Sequence, residues 1–478
     1  MISFWSIVKL TWRSALRSHI FQLLLAVLTG FVIILPLTVA GDGTAYGYIQ
    51  VSLKYNLSVV AFILSMSSIW LACSVMTQDM ESYQLHMIVS KPVSRMKIWL
   101  GKCFGVLLIN AFLLLIASSV IYGIVVWQFN RSKFPPDEKK KIENEVMTGR
   151  RVFYPQLPDV NALAREEYAR RLAVAKSTTI KDEKEEVALK ELRRQIIAKM
   201  SELPYSASKV WFYKNLPVEL KAPLYLRYRV YVDKISSKDQ RETYGVWHVA
   251  VAGKADKQDV KPGAVADAKK DKDAELVTYW QPRSYYPEKI MCGVFNEITL
   301  KPTVVTPDGT VTISFTNLDQ AGKNLHFQVP DGPKMLIRVA GFFENYARAV
   351  FLILLQIVVL TALACAASSV LSMPTAIFMV VSYLLFGTFS TFLVGAGIDV
   401  PDIGITDYFA YYLSIILLWL VIPLQVFDMS SLVSNGELIE LSLMSKIFLK
   451  FFIVKGLPLF LLGIWLYRRR ELGLVIRK

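Results

Sequence analysis

Long apolar runs constrain this chain more than any other feature. Six of them approach the roughly 20 residues that a helix needs to cross a bilayer. They are Phe21–Ala40, Asn56–Met76, Phe104–Trp127, the stretch from Arg348 to Leu371, Thr375–Gly397 and Ile447–Tyr467. With 54% hydrophobic residues, the 478-residue chain reads as an α-helical polytopic membrane protein rather than a soluble one.

Charge between the runs sets their direction. The segment Thr77–Lys102 carries Lys91, Arg95, Lys97 and Lys102, while the loop before the preceding span has only Lys54. Lys and Arg collect on the cytoplasmic side, so this loop is expected inside. The tail, with Arg468, Arg469, Arg470, Arg477 and Lys478, is expected inside too. From Gly397 to Ser445 there is no Lys or Arg, but there are Asp399, Asp402, Asp407, Asp428, Glu437 and Glu440, an outside signature. Phe409–Ile422 is short for a span and Pro423 ends it, so it reads as a segment that dips into the outer leaflet and returns within the external loop 398–445.

The expectation is six transmembrane helices, arranged 3+3, with both termini cytoplasmic in the inner cell membrane. Spans 1–3 fall in 20–127, spans 4 and 5 in 347–397, and span 6 with its basic tail in 446–478. Met1 to His19 leads into the first span without a small-residue cleavage motif, so that span is expected to stay. Within it Lys9, Arg13 and Arg17 recur every four residues beside Phe4, Trp5, Val8 and Trp12, the pattern of an interfacial amphipathic helix over 1–19.

Residues 128–346 are polar and long enough for a domain, placed outside by three crossings. About 160–203 is rich in Ala, Leu, Glu, Lys and Arg, and Ser177-Thr178-Thr179 breaks it into a helical hairpin. About 222–345 alternates in strand fashion, in Leu224–Ile235, from Gly245, and in Thr310–Asn317, with a turn at Pro307-Asp308-Gly309. These runs predict a small antiparallel β-sandwich, making the insertion α+β. Lys254–Asp273 is an Ala/Lys/Asp stretch read as an inserted loop.

Catalytic patterns are missing from the sequence. It has no phosphate-binding G-x-x-x-x-G-K-[ST], no G-x-S-x-G and no H-E-x-x-H. His19, His86, His248 and His326 are scattered, away from metal-ligand spacing. Cys73, Cys103 and Cys365 lie in apolar runs and read as small buried residues, and Cys292 is alone in the polar domain. The net charge of +15 is concentrated at membrane flanks, which argues for orientation and not for nucleic acid. The first five spans hold no ionisable residue, which argues against ion-coupled transport. Lys450 and Lys455 lie in the sixth. They read either as snorkelling cations or contacts to the dipping segment, or as cations facing an anionic substrate group near the outer leaflet.

One set of residues carries a resemblance. Glu81, then Pro92-Val93-Ser94-Arg95, then Gly101-Lys102 resembles the cytoplasmic loop of ABC-2-type ABC transporter permease subunits, although Ser82-Tyr83 stands where that family commonly has Gly-Thr. Ala367-Ser368-Ser369 before Pro374, the run Ile422–Asp428 followed by Asn435-Gly436, and Tyr467–Leu472 resemble further parts of the same family in the same order. The domain 128–346 lies outside the resemblance. The resemblance implies a coupling helix over about 78–95 that docks a separate ATPase subunit. Glu81, Lys91, Pro92, Ser94, Arg95, Gly101 and Lys102 would be coupling residues. ATP and Mg would be bound by that partner, and this chain would hold no cofactor and would not itself be an enzyme. It also implies a second permease chain and export. Two other classes remain open. One is a mechanotransmitter whose external domain acts on an envelope protein. The other is a membrane-anchored receptor without an ATPase.

Overall fold

The computed structural model describes residues 2–38, 44–81, 94–131, 135–175, 185–218, 222–232, 242–254, 276–280, 290–319, 322–329, 331–396 and 405–469. Two compact units divide the chain: Met1–Gly149 with Ala340–Lys478, and Arg150–Val339. The second unit therefore begins later than the expected 128.

The first unit is helical. Its elements are α1 (Ile2–Arg17), α2 (His19–Thr38), α3 (Ala45–Glu81), α4 (Arg95–Arg131), α5 (Pro136–Glu145), α8 (Phe342–Ser368), α9 (Met373–Ala396), α10 (Ile405–Leu420) and α11 (Leu441–Arg469); α6 and α7 belong to the second unit. Among the described residues five helices are long and apolar enough to cross a membrane, and up to seven if each bent pair is one span. The expected six falls inside that range.

The helices α3 and α4 are much longer than the expected spans. Each has 37 residues, about 55 Å at 1.5 Å per residue, against a hydrocarbon core of about 30 Å. The reason is cooperative: once nucleated, a helix adds residues cheaply until a breaker stops it. The flanks Ala45–Tyr55 and Arg95–Cys103 contain no proline.

Burial ranks the helices. In the apolar window of α8, 78% is buried inside the protein, against 22% in α9, so α8 is central and α9 peripheral. Polar side chains link the central helices. Gln356 Nε2 donates to Ser65 Oγ at 2.9 Å, and Ser67 Oγ donates to Asn110 Oδ1 at 2.8 Å. Trp99, fully buried, donates from Nε1 to Ser369 Oγ at 2.9 Å. In an apolar surround such bonds hold helices together by about 0.6–2 kcal/mol each.

The stretch read as a dipping segment is broken. After α10 the chain passes Pro423 into a 3-10 turn at Leu424–Phe427 and a short helix at Ser430–Ser434, with a 55° bend between the two arms. Its far end is pinned. Asn345, fully buried on α8, donates from Nδ2 to the Glu437 carbonyl at 2.8 Å and accepts the Ile439 N–H on Oδ1 at 2.9 Å. Gly436 has φ +64°, and a Cβ there would lie 2.0 Å from the Glu145 carbonyl oxygen. Only glycine fits that approach.

The last helix, α11, is not uniform. It is α-helical over Leu441–Ile447, π-helical over Phe448–Gly456 and α-helical again over Leu457–Arg469.

The second unit contains α6 (Val160–Ala175) and α7 (Glu185–Ser201), packed as the expected hairpin. Asp159 caps α6, its Oδ1 accepting the Asn161 and Ala162 N–H groups at 2.9 and 3.2 Å. Residues 177–179, read as its break, lie outside the described residues. The main strands are β1 (Thr148–Phe153), β2 (Ser208–Tyr213), β3 (Leu224–Arg229), β4 (Gly245–Lys254), β5 (Leu276–Trp280), β6 (Phe295–Leu300), β7 (Val311–Asn317) and β8 (Lys334–Gly341). One sheet runs β1-β8-β3-β6 and the other β2-β7-β4-β5. Every pair whose register is described is antiparallel. Leu224, Leu226, Tyr228 and Met335 of the first sheet share one apolar cluster with Trp211, Trp247, Ile313 and Phe315 of the second. Period-2 alternation sends these residues inward, and two antiparallel sheets over one core is the arrangement expected. On the first sheet Arg150, fully buried, makes a two-pronged pair with Glu297 at 2.9 and 2.8 Å. The Lys254–Asp273 stretch lies outside the described residues beyond Lys254 itself.

Candidate functional site

The candidate coupling segment joins the two longest helices. Of its residues, Lys91 and Pro92 lie outside the described residues, as does the short helix expected over 78–95 beyond the end of α3. Glu81 is the last residue of α3.

Ser94 starts α4: its carbonyl accepts the N–H groups of Lys97 and Ile98 at 2.9 and 3.2 Å. Arg95 reaches across to α11, with Nη1 donating to the Arg468 carbonyl at 3.1 Å. That carbonyl is among the last four of a helix, which lack intrahelical partners and carry the negative end of its dipole, so a guanidinium suits the place.

Gly101 has a packing role that its motif did not disclose. A Cβ at Gly101 would lie 2.8 Å from Ile7 Cγ2, and one at Gly105 would lie 2.8 Å from Thr11 Cβ. Gly101 and Gly105 form a small-x-x-x-small notch on α4, and Ile7 and Thr11, one turn apart on α1, fill it. This seats the amphipathic helix, whose Lys9, Arg13 and Arg17 are exposed together with Trp5 and Leu10.

Lys102 is only 3% exposed. Its Nζ donates to the Val75 carbonyl at 2.8 Å, tying α4 to α3 just before the loop. Gly101 and Lys102 are thus built into the bundle, whereas Ser94 and Arg95 mark the start of α4.

The second candidate group, Lys450 and Lys455, falls in the π-helical part of α11, one π turn apart. Lys450 is exposed and lies 5.5 Å from the centre of the Phe451 ring. Lys455 turns toward α10. Its Nζ donates to the carbonyls of Leu418 and Val421 at 2.8 and 2.6 Å. Tyr383 joins them: its hydroxyl donates to the Leu420 carbonyl at 3.2 Å and accepts the Ile422 N–H at 3.0 Å. The break after α10 therefore has carbonyls and an amide satisfied by side chains from α9 and α11. For Lys455, contact with the dipping segment is the arrangement found.

The sequence reading passed over Asn345, Tyr383 and Gly105. The usable signal for Asn345 was an uncharged amide in or beside an apolar run, a signal also given by Asn56, Asn110 and Gln356. The four cysteines are buried free thiols, and burial pushes the Cys292 thiol up to about 11. Among the described residues no three His, Cys, Asp or Glu side chains converge as metal ligands.

Comparison with family models, curated proteins and solved structures finds no match. The functional reading therefore stands on the residues themselves.

Proposed function

We propose that this chain is the membrane subunit of an ATP-driven ABC-2-type transporter, an exporter of an amphiphilic substrate worked by a separate ATPase subunit. It would cross the inner cell membrane six times with both termini cytoplasmic and 128–346 outside. One observation carries the reading. Two helices of 37 residues end at the same loop, and both of its flanks are tied into the bundle: Lys102 to the Val75 carbonyl, Arg95 to the Arg468 carbonyl. A push on residues 82–93 would travel along stiff rods instead of being lost in a slack loop. The motif order Glu81, Pro92-Val93-Ser94-Arg95, Gly101-Lys102 supports the same reading.

A second permease chain is part of the proposal. The outer faces of α9 and α10 expose Phe378, Phe389, Phe392 and Trp419 by 61–81%, a surface suited to a like helix pair.

The test is co-purification with the ATPase followed by charge reversal, Glu81→Lys and Arg95→Glu. Loss of ATPase binding or stimulation is expected. An ATPase that stays bound and fully stimulated would remove the coupling reading.

The mechanotransmitter reading also has an observation in its favour. Strand β8 ends at Gly341 and α8 begins at Phe342, so the strand passes directly into the helix. Deleting 150–339 separates the two readings: a transporter keeps substrate-stimulated ATPase, and a mechanotransmitter loses its envelope phenotype.

A further inference from the structure

A groove of about 510 Å³ runs between α4, α8 and α11. Met96 and Leu100 form one wall, Val359 and Ala362 the floor, Leu461 and Ile464 the other wall. Gly456, where the π-helical segment returns to α-helix, also lines it. Leu457, Leu461, Ile464 and Arg468 follow one face of α11, at steps of four, three and four residues. Arg95 immediately precedes Met96, and its guanidinium sits on the Arg468 carbonyl at 3.1 Å. Both apolar walls therefore run into the same basic end. Arg469 joins that end with its guanidinium 4.3 Å from the centre of the Trp465 ring, an aromatic of the kind enriched at membrane interfaces.

An apolar channel ending in cations has the shape of one molecule: a long hydrocarbon tail with an anionic head. The volume lies within the range of small-molecule sites, about 300–1,000 Å³. We propose that the groove between α4, α8 and α11 holds an acyl chain of an anionic phospholipid, with its phosphate held by Arg95, Arg468 and Arg469. The site rests on these helices lying in a bilayer, and is independent of ATP coupling.

The occupant would brace the groove. Its chain fills the space between α4 and α11 that no side chain fills, and its phosphate joins the end of α11 to the start of α4, next to the loop 82–93.

The test uses the full chain in phosphatidylcholine vesicles with trace phosphatidylglycerol or phosphatidylcholine carrying a photoactivatable group in the tail. Labelled residues are mapped by mass spectrometry. Phosphatidylglycerol is expected to label Leu100, Leu461 and Ile464 in preference to phosphatidylcholine. That preference should fall about fivefold for Arg468→Gln and again for Arg469→Gln, the worth of one basic side chain at an anionic surface. Leu461→Trp, which fills the groove, should abolish tail labelling; if that variant fails to fold, the arginine variants decide. Equal labelling by the two lipids, or a preference unmoved by the arginine substitutions, would reduce the groove to bulk lipid contact and overturn the proposal. Cross-linking between two copies through cysteines at 461 would assign the groove to an interface and overturn it as well. Loss of ATPase coupling without loss of the lipid preference would strike only the permease reading.

Discussion

The Lys455 ammonium lies 2.6 Å from the carbonyl oxygen of Val421, in the break that follows α10. A cation in an apolar run costs about 2.5–3.5 kcal/mol on insertion scales. Here it is offset by two carbonyls that would otherwise lack donors. Lys455→Met removes the cation and its desolvation cost but leaves the Leu418 and Val421 carbonyls bare, at about 1–3 kcal/mol for each unsatisfied group. The expected net result is a lower unfolding midpoint in detergent and faster labelling of a cysteine placed at Val421. Lys455→Arg should recover part of both. An unchanged midpoint with unchanged labelling would show that this contact does not hold the break.

Asn345 should be sensitive for the same reason. Asn345→Leu keeps the volume close but strips partners from the Glu437 carbonyl and the Ile439 N–H. A loss of about 2–6 kcal/mol follows from two buried unsatisfied groups. Limited proteolysis within 430–440 would report it, and wild-type protection there would contradict the clamp.

The notch on α4 makes a rescue prediction. Gly101→Ala puts a methyl 2.8 Å from Ile7 Cγ2, an overpacking worth about 1–3 kcal/mol. Ile7→Ala in the same chain removes the Cγ2 clash, though its Cβ stays 3.0 Å away, and should restore part of the loss, measured as the unfolding midpoint. If the double variant is no better than the single, the glycine serves something other than the seat of α1.

Acid should weaken the second unit through His248 on β4. Burial holds its imidazole below the ordinary value of 6.5. Between that lowered value and 6.5 the unfolded chain binds more protons than the folded one, so stability rises with pH across this window. The stability from neutral His248 is complete above about 6.5 and is lost as pH falls through the folded value. His248→Gln should flatten that part of the profile, followed by near-ultraviolet circular dichroism of the Trp211–Trp247 cluster. A profile of unchanged slope would assign the acid sensitivity to other groups.

Much of the fold was legible because its signals are local. Apolar length marked the helices, and alternation marked β3, β4 and β7. The two helical patterns on either side of residues 177–179 gave α6 and α7, packed against each other. The helix ends were not legible. Nothing between Ala45 and Asn56 stops a helix, yet apolarity falls there, so span length understated α3. The π-helical part of α11 carries no composition signal, and its presence explains why Lys455 points at Val421. At the candidate site, Gly101 and Lys102 stand out in the sequence because they follow a loop motif. Their contacts with Ile7 and Val75, on other helices, are encoded by no local pattern. Asn345 was missed because only charged residues were weighed inside the apolar runs.

The turn at Gly436 closes on the Glu145 carbonyl, which comes from the first third of the chain. Translation order makes this a timetable. When the ribosome reaches residue 435, α5 has long since been made, and its last carbonyl still awaits the glycine that covers it. Asn345 likewise waits with both amide valences open for residues 437 and 439. A polypeptide ending before 436 would lack the partners that Asn345 takes at Glu437 and Ile439, leaving open polar groups at sites that the full chain hides.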